Sequence, residues 1–163
     1  MLLAVDVGNS ETSFGLFDGE ALVHHWRLTT SPRQTGDELL VLLHALLASE
    51  GGSQRDVKHM ALCCVVPELV LAYHALGRRL LEREILVVDH TTVPYLEILN
   101  LDPASVGADR LVNAVAAAKF HGAPSIIVDL GTATTFDVIG KKGEYMGGVI
   151  APGILTAASA LFA

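Results

Sequence analysis

The amino-acid sequence predicts an α/β fold, with one complete domain followed by the first half of a duplicated second domain. Short apolar runs alternate along the chain with segments of helical periodicity, which is typical of this class. Two turns of the form Asp-x-Gly, Asp6–Gly8 and Asp129–Gly131, each follow an apolar run, 123 positions apart. The 163 residues are 51% hydrophobic and 18% charged, against about 25% charged in an average soluble domain, so the chain has ample material for a core.

Three antiparallel strands are expected at the start of the chain. Leu2–Val7 is a short apolar run that ends in a glycine turn, which is typical of a buried strand. Thr12–Phe17 and Ala21–Thr29 follow as strands because Asp18-Gly19 between them is a strong hairpin signal.

Two helices and two strands are expected next, in alternation. The first helix follows Pro32, and either Thr35 or Asp37 can cap it. Five leucines share one of its faces at helical spacing: Leu39, Leu42, Leu43, Leu46 and Leu47. Pro67 opens the second helix, which continues to about Glu84. The two expected strands are Val57–Val66 and Ile85–Val88.

The second half of the chain repeats the beginning of the first. After the loop His90–Ser105, the expected elements are a helix, three strands and a helix: Val106–His121, Ser125–Asp129, Thr134–Ile139, Glu144–Ala151 and Gly153–Phe162. We place the domain boundary between residues 117 and 118. The second domain then stops halfway, and an isolated chain of 163 residues is expected to be inactive or poorly stable because its sheet would end in an unpaired edge.

The internal repeat depends on the two Asp-x-Gly turns and their surroundings. Thr12 matches Thr135 at the same offset as Asp6 matches Asp129, and a hairpin turn follows each pair. Chance similarity of short hairpins is the alternative, but the strand–hairpin–strand context repeats together with the residues.

Charge and composition exclude several classes of protein. The net charge of −7 argues against a nucleic-acid binder, whose affinity comes from basic residues. Cys63 and Cys64 lie in an apolar run and form no secreted disulfide framework. The N-terminus does not resemble a signal peptide, and glycines and Pro152 interrupt the uncharged stretch Tyr145–Ala163, which makes it a poor membrane span. A cytoplasmic protein without a membrane or nucleic-acid partner is expected.

A strand that ends in Asp-x-Gly suits phosphate and metal binding. Glycine lets the backbone approach a phosphate closely, and the following N–H groups can donate to its oxygens. The carboxylate at the strand end can hold Mg²⁺, which prefers oxygen ligands. One such turn is weak evidence, but two in repeated positions can clamp a polyphosphate. The P-loop and dinucleotide-binding glycine motifs are absent from the sequence.

Gly107–Arg110 is a third candidate, at the start of an Ala-rich helix. Asp109 could act as a general base, and Arg110 could orient an anionic substrate or stabilise transferred charge. The alternative is an Asp in the first turn that complements the helix dipole, with Arg110 as a surface neighbour. The segment by itself favours this alternative.

Four motifs together resemble type III pantothenate kinase, in that family's order and approximate spacing along the whole chain. They are Asp6–Ser10, Gly107–Arg110, Asp129–Thr135 and Gly147–Gly153. The third, with Phe136-Asp137 after it, is the most specific. The resemblance implies a ribonuclease-H-like, actin-like ATPase fold, in which two such domains flank an ATP cleft. It also implies ATP-dependent phosphorylation of pantothenate to 4'-phosphopantothenate, the first step of coenzyme A biosynthesis, by a homodimer.

The resemblance also implies a role for individual residues. The first phosphate loop would bind ATP through Asp6, Val7, Gly8, Asn9, Ser10, Glu11, Thr12 and Ser13, with Thr132 as a further ATP contact. Asp6 would lie near Mg²⁺, and Asp129 would bind the monovalent cation, K⁺ or NH₄⁺. Asp109 would be the base for the pantothenate hydroxyl. The residues that line the pantothenate pocket would be Gly107, Ala108, Asp109, Arg110 and Asn100.

The sequence departs from the family pattern in two residues and in length. Ser10 stands where threonine is usual, and Asn100 falls where many members have a tyrosine that touches pantothenate. Members of the family continue for roughly another third of the chain beyond Phe162. Two other functions stay open: a non-catalytic regulatory or accessory protein on the same fold, and another small-molecule kinase of the superfamily.

Overall fold

The computed structural model describes residues 1–81, 83–99 and 102–162, and the chain divides into two compact units, Met1–Val88 and Asp89–Ala163. We call them unit 1 and unit 2. In the described part of the chain, no helix has both the length and the apolar character needed to span a bilayer. The unit boundary follows compactness, whereas the expected boundary after residue 117 follows the sequence repeat and falls within a helix, Ala108–Phe120. The division into residues 1–117 and 118–163 therefore stays a prediction.

Unit 1 is a five-stranded mixed sheet with two helices packed on one face. Its elements are β1 (Leu2–Val7), β2 (Glu11–Asp18), β3 (Ala21–Thr29), α1 (Gly36–Ser49), β4 (His59–Cys64), α2 (Pro67–Leu81) and β5 (Leu86–Val87). The strand order is β3-β2-β1-β4-β5; β1 pairs antiparallel with β2 and parallel with β4. This confirms the expected order of elements. β4 is shorter than expected because a 3₁₀ turn, Gln54–Asp56, precedes it and Pro67 begins α2 soon after it ends.

Helix α1 begins at a capping box, which decides between the two expected caps. The Thr35 hydroxyl accepts a hydrogen bond from the Glu38 N–H at 3.3 Å, and the Thr35 N–H donates to Glu38 Oε2 at 2.7 Å. Thr35 is therefore the N-cap. The hydrogen bonds from Thr35 lower the pKa of the Glu38 carboxyl below its ordinary value.

The core of unit 1 lies between one face of the sheet and the two helices. Because side chains alternate between the faces of a strand, Leu3, Val5 and Val7 of β1 all point into it and are 0–2% exposed. They pack in one cluster with leucines of both helices: Leu39, Leu43, Leu47, Leu69 and Leu76. Asp6, between two of these valines, points to the opposite face and is exposed.

Unit 2 contains a three-stranded antiparallel sheet and two helices. Its elements are α3 (Ala108–Phe120), β6 (Ser125–Leu130), β7 (Ala133–Ile139), β8 (Tyr145–Pro152) and α4 (Ile154–Phe162). The strand order is β6-β7-β8. Helix α3 packs against the sheet through Leu111 and Ala114, which are fully buried. Ahead of it, Glu97 and Leu99 exchange backbone hydrogen bonds with Tyr145 at the start of β8.

The two repeated hairpins differ in register by one residue. In unit 1, Asp6 pairs with Ser13 and Val7 with Thr12. In unit 2, Asp129 pairs with Thr135 and Leu130 with Thr134. The turn after β6 is thus one residue shorter than the turn after β1. The match of Thr12 with Thr135 at a constant offset is wrong: the structural counterpart of Thr12 is Thr134.

Once the register is corrected, an apolar face of unit 2 corresponds to the buried face of unit 1. Ile126, Val128 and Leu130 are 70%, 51% and 66% exposed, although they occupy the positions that Leu3, Val5 and Val7 hold in β1. We call this surface the bare face. Its members lie on all three strands: Ile126, Val128, Leu130, Phe136, Val138 and Val149. Among the described residues, no helix covers it as α1 and α2 cover the sheet of unit 1.

We predict that matched positions on the two sheets differ sharply in their contribution to stability. In a polypeptide of residues 1–163, Leu3→Ala should lower the free energy of unfolding by about 2–5 kcal/mol, because it removes a fully buried side chain and leaves a cavity. Ile126→Ala should change it by no more than about 0.5 kcal/mol, because the side chain is already exposed. Urea unfolding of both variants measures the difference, and equal losses would contradict the assignment of a bare face.

Candidate functional site

The first candidate phosphate loop is the turn between β1 and β2. The Gly8 N–H donates to the Glu11 carbonyl at 2.9 Å, which closes the turn. A Cβ on Gly8 would lie 3.0 Å from that carbonyl oxygen, so a side chain there would crowd the turn. Asn9 and Ser10 at its tip are exposed, as is Asp6 before it. The turn thus presents backbone groups and a carboxylate on one rim of unit 1.

A chain of buried hydroxyl groups supports this turn from inside the unit. The Thr30 hydroxyl donates to the Gly8 carbonyl at 2.7 Å and lies 2.8 Å from the Thr12 hydroxyl. Because Thr30 has a single hydroxyl proton, Thr12 must donate to Thr30. Tyr73 of α2 is buried beside Thr12; burial raises the pKa of its hydroxyl, and the Thr12 side chain opposes that shift. The chain therefore runs from Thr12 through Thr30 to the backbone of the loop.

The residues expected to bind ATP in this loop differ in their placement. Asp6, Asn9, Ser10 and Glu11 are exposed, and Gly8 and Ser13 are half-buried. The side chains of Val7 and Thr12 point into the core of unit 1. Only the backbone of these two residues is available to a ligand on the open side of the turn. Their ATP contacts stay predictions.

The second candidate loop lies between β6 and β7, and α4 is built onto it. The Thr132 carbonyl accepts hydrogen bonds from the Gly153 N–H at 3.1 Å and from the Thr156 hydroxyl at 2.9 Å. A Cβ on Gly153 would overlap the carbonyl oxygens of Gly131 and Thr132, so only glycine fits where α4 approaches the turn. Asp129 and Thr132 are exposed beside it.

The third candidate segment, Gly107–Arg110, lies at the N-terminus of α3. Gly107 is the N-cap and has no side chain with which to cap the helix. Asp109 Oδ1 accepts a hydrogen bond from the Arg110 N–H at 2.8 Å. A Cβ on Gly107 would lie 2.5 Å from the same oxygen, so glycine leaves the space that the carboxylate occupies. Asp109 is half-buried in the first turn, where the helix dipole stabilises its negative charge.

Arg110 is held inside unit 2 by a buried carboxylate. Its Nε donates to Asp137 Oδ1 at 2.8 Å, and its Nη2 lies 2.6 Å from that oxygen at an angle that makes no hydrogen bond. The Arg110 side chain is 14% exposed and that of Asp137 is 0% exposed. Burial alone would lower the pKa of Arg110, but the hydrogen bond to Asp137 and its negative charge raise that pKa above the ordinary value. The alternative that Arg110 is a surface neighbour is therefore wrong.

A second link joins α3 to the sheet at Asp129. Asn113 Nδ2 donates to Asp129 Oδ2 at 3.1 Å, one turn after Arg110 on the same helix. Asp129 pairs with Thr135 across the strands, so Asp129, Thr135 and Asp137 lie on the face of the sheet that α3 covers. Unit 2 thus brings three of its carboxylates, those of Asp109, Asp129 and Asp137, to one side of its sheet.

Sequence reasoning assigned no role to several residues of this site. Asn113 and Tyr145 take part in it and belong to none of the four motifs. Asp137 was noted only beside the third motif, and Gly148 and Gly153 only as members of the motif Gly147–Gly153, which the resemblance places near the nucleotide. Asn100, the expected pantothenate contact, lies outside the described residues. Within the described ranges, no three His, Cys, Asp or Glu side chains are grouped so that they could hold a metal ion.

Known proteins resemble the whole chain. The family model for type III pantothenate kinase matches residues 2–163. Type III pantothenate kinases from Streptomyces griseus subsp. griseus and a Roseiflexus species are each 46% identical to this chain, and one from Thermobifida fusca is 43% identical. Each comparison covers 99% of this chain. The chain spans 63% of the Streptomyces and Thermobifida proteins and 64% of the Roseiflexus protein.

Solved structures that resemble the chain share its fold at low sequence identity. The ethanolamine utilization protein EutJ from Carboxydothermus hydrogenoformans has a TM-score of 0.53 at 17% identity, over 99% of this chain and 57% of that one. The activator of the 2-hydroxyisocaproyl-CoA dehydratase from Clostridium difficile has a TM-score of 0.54 at 13% identity, over 93% and 45%. These are proteins of the actin-like ATPase and sugar-kinase fold, which confirms the expected fold class.

We predict that the buried hydroxyl chain stabilises the first loop. Thr30→Val should lower the free energy of unfolding by about 1–3 kcal/mol, because it leaves the Gly8 carbonyl and the Thr12 hydroxyl without their partner. The matched control is Thr29→Val, an exposed position one residue earlier, which should change it by no more than about 0.5 kcal/mol. Urea unfolding of the two variants tests the difference, and a Thr30→Val variant as stable as its control would refute the role of the chain.

Proposed function

The chain belongs to the type III pantothenate kinase family, and on that premise we propose that its protein transfers the γ-phosphoryl group of ATP to pantothenate. The product would be 4'-phosphopantothenate, made in the first step of coenzyme A biosynthesis. The observation that carries the proposal is the start of α3, where Asp109 and Arg110 are adjacent and a buried carboxylate holds Arg110 as a cation.

Asp109 is the proposed general base. As the primary hydroxyl of pantothenate attacks the γ-phosphorus, its proton passes to the Asp109 carboxylate. The new oxygen–phosphorus bond forms while the bond from the γ-phosphorus to the bridging oxygen breaks, and ADP leaves with that oxygen. Phosphoryl transfer needs mainly positioning and charge stabilisation from the protein. A half-buried carboxylate in the first turn of a helix suits that need.

Arg110, together with Gly107 and Ala108, is proposed to line the pantothenate pocket. Pantothenate carries a carboxylate, and an arginine guanidinium has five N–H donors suited to such a group. Because Nε donates to Asp137 and Nη2 is buried beside the same oxygen, Nη1 is the nitrogen proposed to donate to an anionic substrate. Asn100 is proposed as a further contact on the basis of the family resemblance.

The residues of the two loops fit the phosphates and cations of such a reaction. The exposed Asp6 carboxylate at the end of β1 would hold Mg²⁺. Asp129 accepts the hydrogen bond from Asn113 through Oδ2, and its Oδ1 would bind K⁺ or NH₄⁺. Bound cations would neutralise charge on the phosphates. Residues 6–13 and Thr132 would contact ATP through backbone N–H groups and hydroxyls. A cytoplasmic homodimer is proposed on the family resemblance alone.

We predict that Asp109→Asn slows catalysis without weakening ATP binding. In a preparation of the protein that turns over pantothenate, the variant should lose about 10²–10⁴-fold in kcat because it cannot accept the proton. Its Kd for ATP should not change. Release of ADP in a coupled assay measures kcat, and Asp102→Asn, an exposed aspartate ahead of the same helix, is the control.

The same assay separates the proposal from its competitors. Turnover with pantothenate, and not with glucose or acetate, supports the proposed substrate, and dependence on K⁺ or NH₄⁺ supports the cation role of Asp129. Wild-type turnover in Asp109→Asn would exclude Asp109 as the base. No turnover with any of the three substrates would favour a non-catalytic protein.

A further inference from the structure

Asp137 stands out because it is a completely buried acid in the middle of an apolar strand. The cost of removing a carboxylate from water is several kcal/mol, so such a group persists only with good partners. Its partners are Arg110, through two nitrogens, and the Tyr145 hydroxyl, which donates to Oδ1 at 2.6 Å. All three contacts converge on that one oxygen, and Oδ2 has no hydrogen-bond partner among the described residues.

We propose that Asp137 and Tyr145 are positioning residues that hold the Arg110 guanidinium in a single orientation for the substrate. The inference rests on the proposed function, because it gives Arg110 its place at the pantothenate side of the site. Asp137 and Tyr145 are themselves buried and act through Arg110 rather than by touching substrate.

The geometry leaves the guanidinium little freedom to turn. Two neighbouring nitrogens, Nε and Nη2, face the same carboxylate oxygen, so the plane of the group is fixed along that edge. Burial raises the pKa of the Tyr145 hydroxyl, and the hydrogen bond to Asp137 raises it further, so Tyr145 stays a proton donor. The Tyr145 hydroxyl thereby orients the Asp137 carboxylate, which accepts the hydrogen bond from Arg110.

Gly148 provides the space for this arrangement. It pairs with Asp137 across β7 and β8, and a Cβ there would overlap the Phe136 carbonyl oxygen. The same Cβ would lie 2.5 Å from Arg110 Nη2 and 2.7 Å from Asp137 Oδ1. Any side chain at residue 148 would therefore displace the guanidinium. Three elements, α3, β7 and β8, thus define where Arg110 lies.

A positioning role differs from a merely structural one in which kinetic parameter it changes. If Asp137 acts through Arg110, its loss should reduce use of pantothenate and leave use of ATP unaltered. If the buried pair only stabilises unit 2, its loss should reduce the fraction of folded protein. The apparent kcat then falls, and the KM values for pantothenate and for ATP do not change. Steady-state kinetics with each substrate varied in turn can distinguish these outcomes.

The test uses Asp137→Asn in a preparation that turns over pantothenate. The amide keeps the shape and one acceptor oxygen but removes the charge. We expect kcat/KM for pantothenate to fall by about 10–100-fold, as small misplacements of substrate-orienting groups do, with the KM for ATP unchanged. Tyr145→Phe, which removes one hydrogen bond, should cause a smaller loss in the same parameter. Asp18→Asn, at an exposed position at the end of β2 in unit 1, is the control and should leave both parameters unchanged.

A double-mutant cycle with Arg110→Ala shows whether Asp137 works through Arg110. In the Arg110→Ala background, Asp137→Asn should cost no further kcat/KM for pantothenate; additive losses would overturn the proposal. An Asp137→Asn variant with wild-type kcat/KM, or with a loss in kcat alone, would also overturn it. If that variant does not fold, Tyr145→Phe decides by the same criterion. Absence of pantothenate turnover in the wild type would instead reject the proposed function.

Discussion

The buried pair of Arg110 and Asp137 is the interaction on which the arrangement of unit 2 depends. It ties the first turn of α3 to the middle strand of the sheet, and Tyr145 ties the third strand to the same oxygen. Burying such a pair is costly, and its own attraction offsets that cost only where the geometry is good. Loss of either partner would leave an uncompensated charge in the core. The pair therefore fixes the position of α3, and of Asp109 on it, relative to the strands of the sheet.

The two Asp-x-Gly turns reach a similar shape with different supports. In unit 1, the buried hydroxyl groups of Thr12 and Thr30 support the turn, and the Thr30 hydroxyl donates to the Gly8 carbonyl. In unit 2, the corresponding turn is one residue shorter, and α4 supports it through the close approach of Gly153. A repeated motif thus preserves the position of its aspartate at a strand end, while the surrounding contacts are free to differ. The motif can therefore be recognised in both halves of the sequence, although the contacts that support it in one unit do not predict those in the other.

Local patterns predicted the order of elements and the start of α3, because these depend on residues close together in sequence. Apolar runs and glycines predicted the strands and the turns, whereas the cap of α1 stayed open between Thr35 and Asp37 until the structure showed the capping box. The role of Asp137 could not be predicted, because its partners Arg110 and Tyr145 meet it only after helix and sheet have packed. The offset of Thr135 was misleading for another reason: a turn shorter by one residue exchanges the two faces of a strand.

The bare face also has a consequence for the order in which the chain folds during synthesis. Unit 1 has both layers of its core within residues 1–88, so it is able to fold while the ribosome is still adding α3. The sheet of unit 2 emerges later with Ile126, Val128 and Leu130 still facing water. Until that face is covered, its strands are a point at which nascent chains can aggregate.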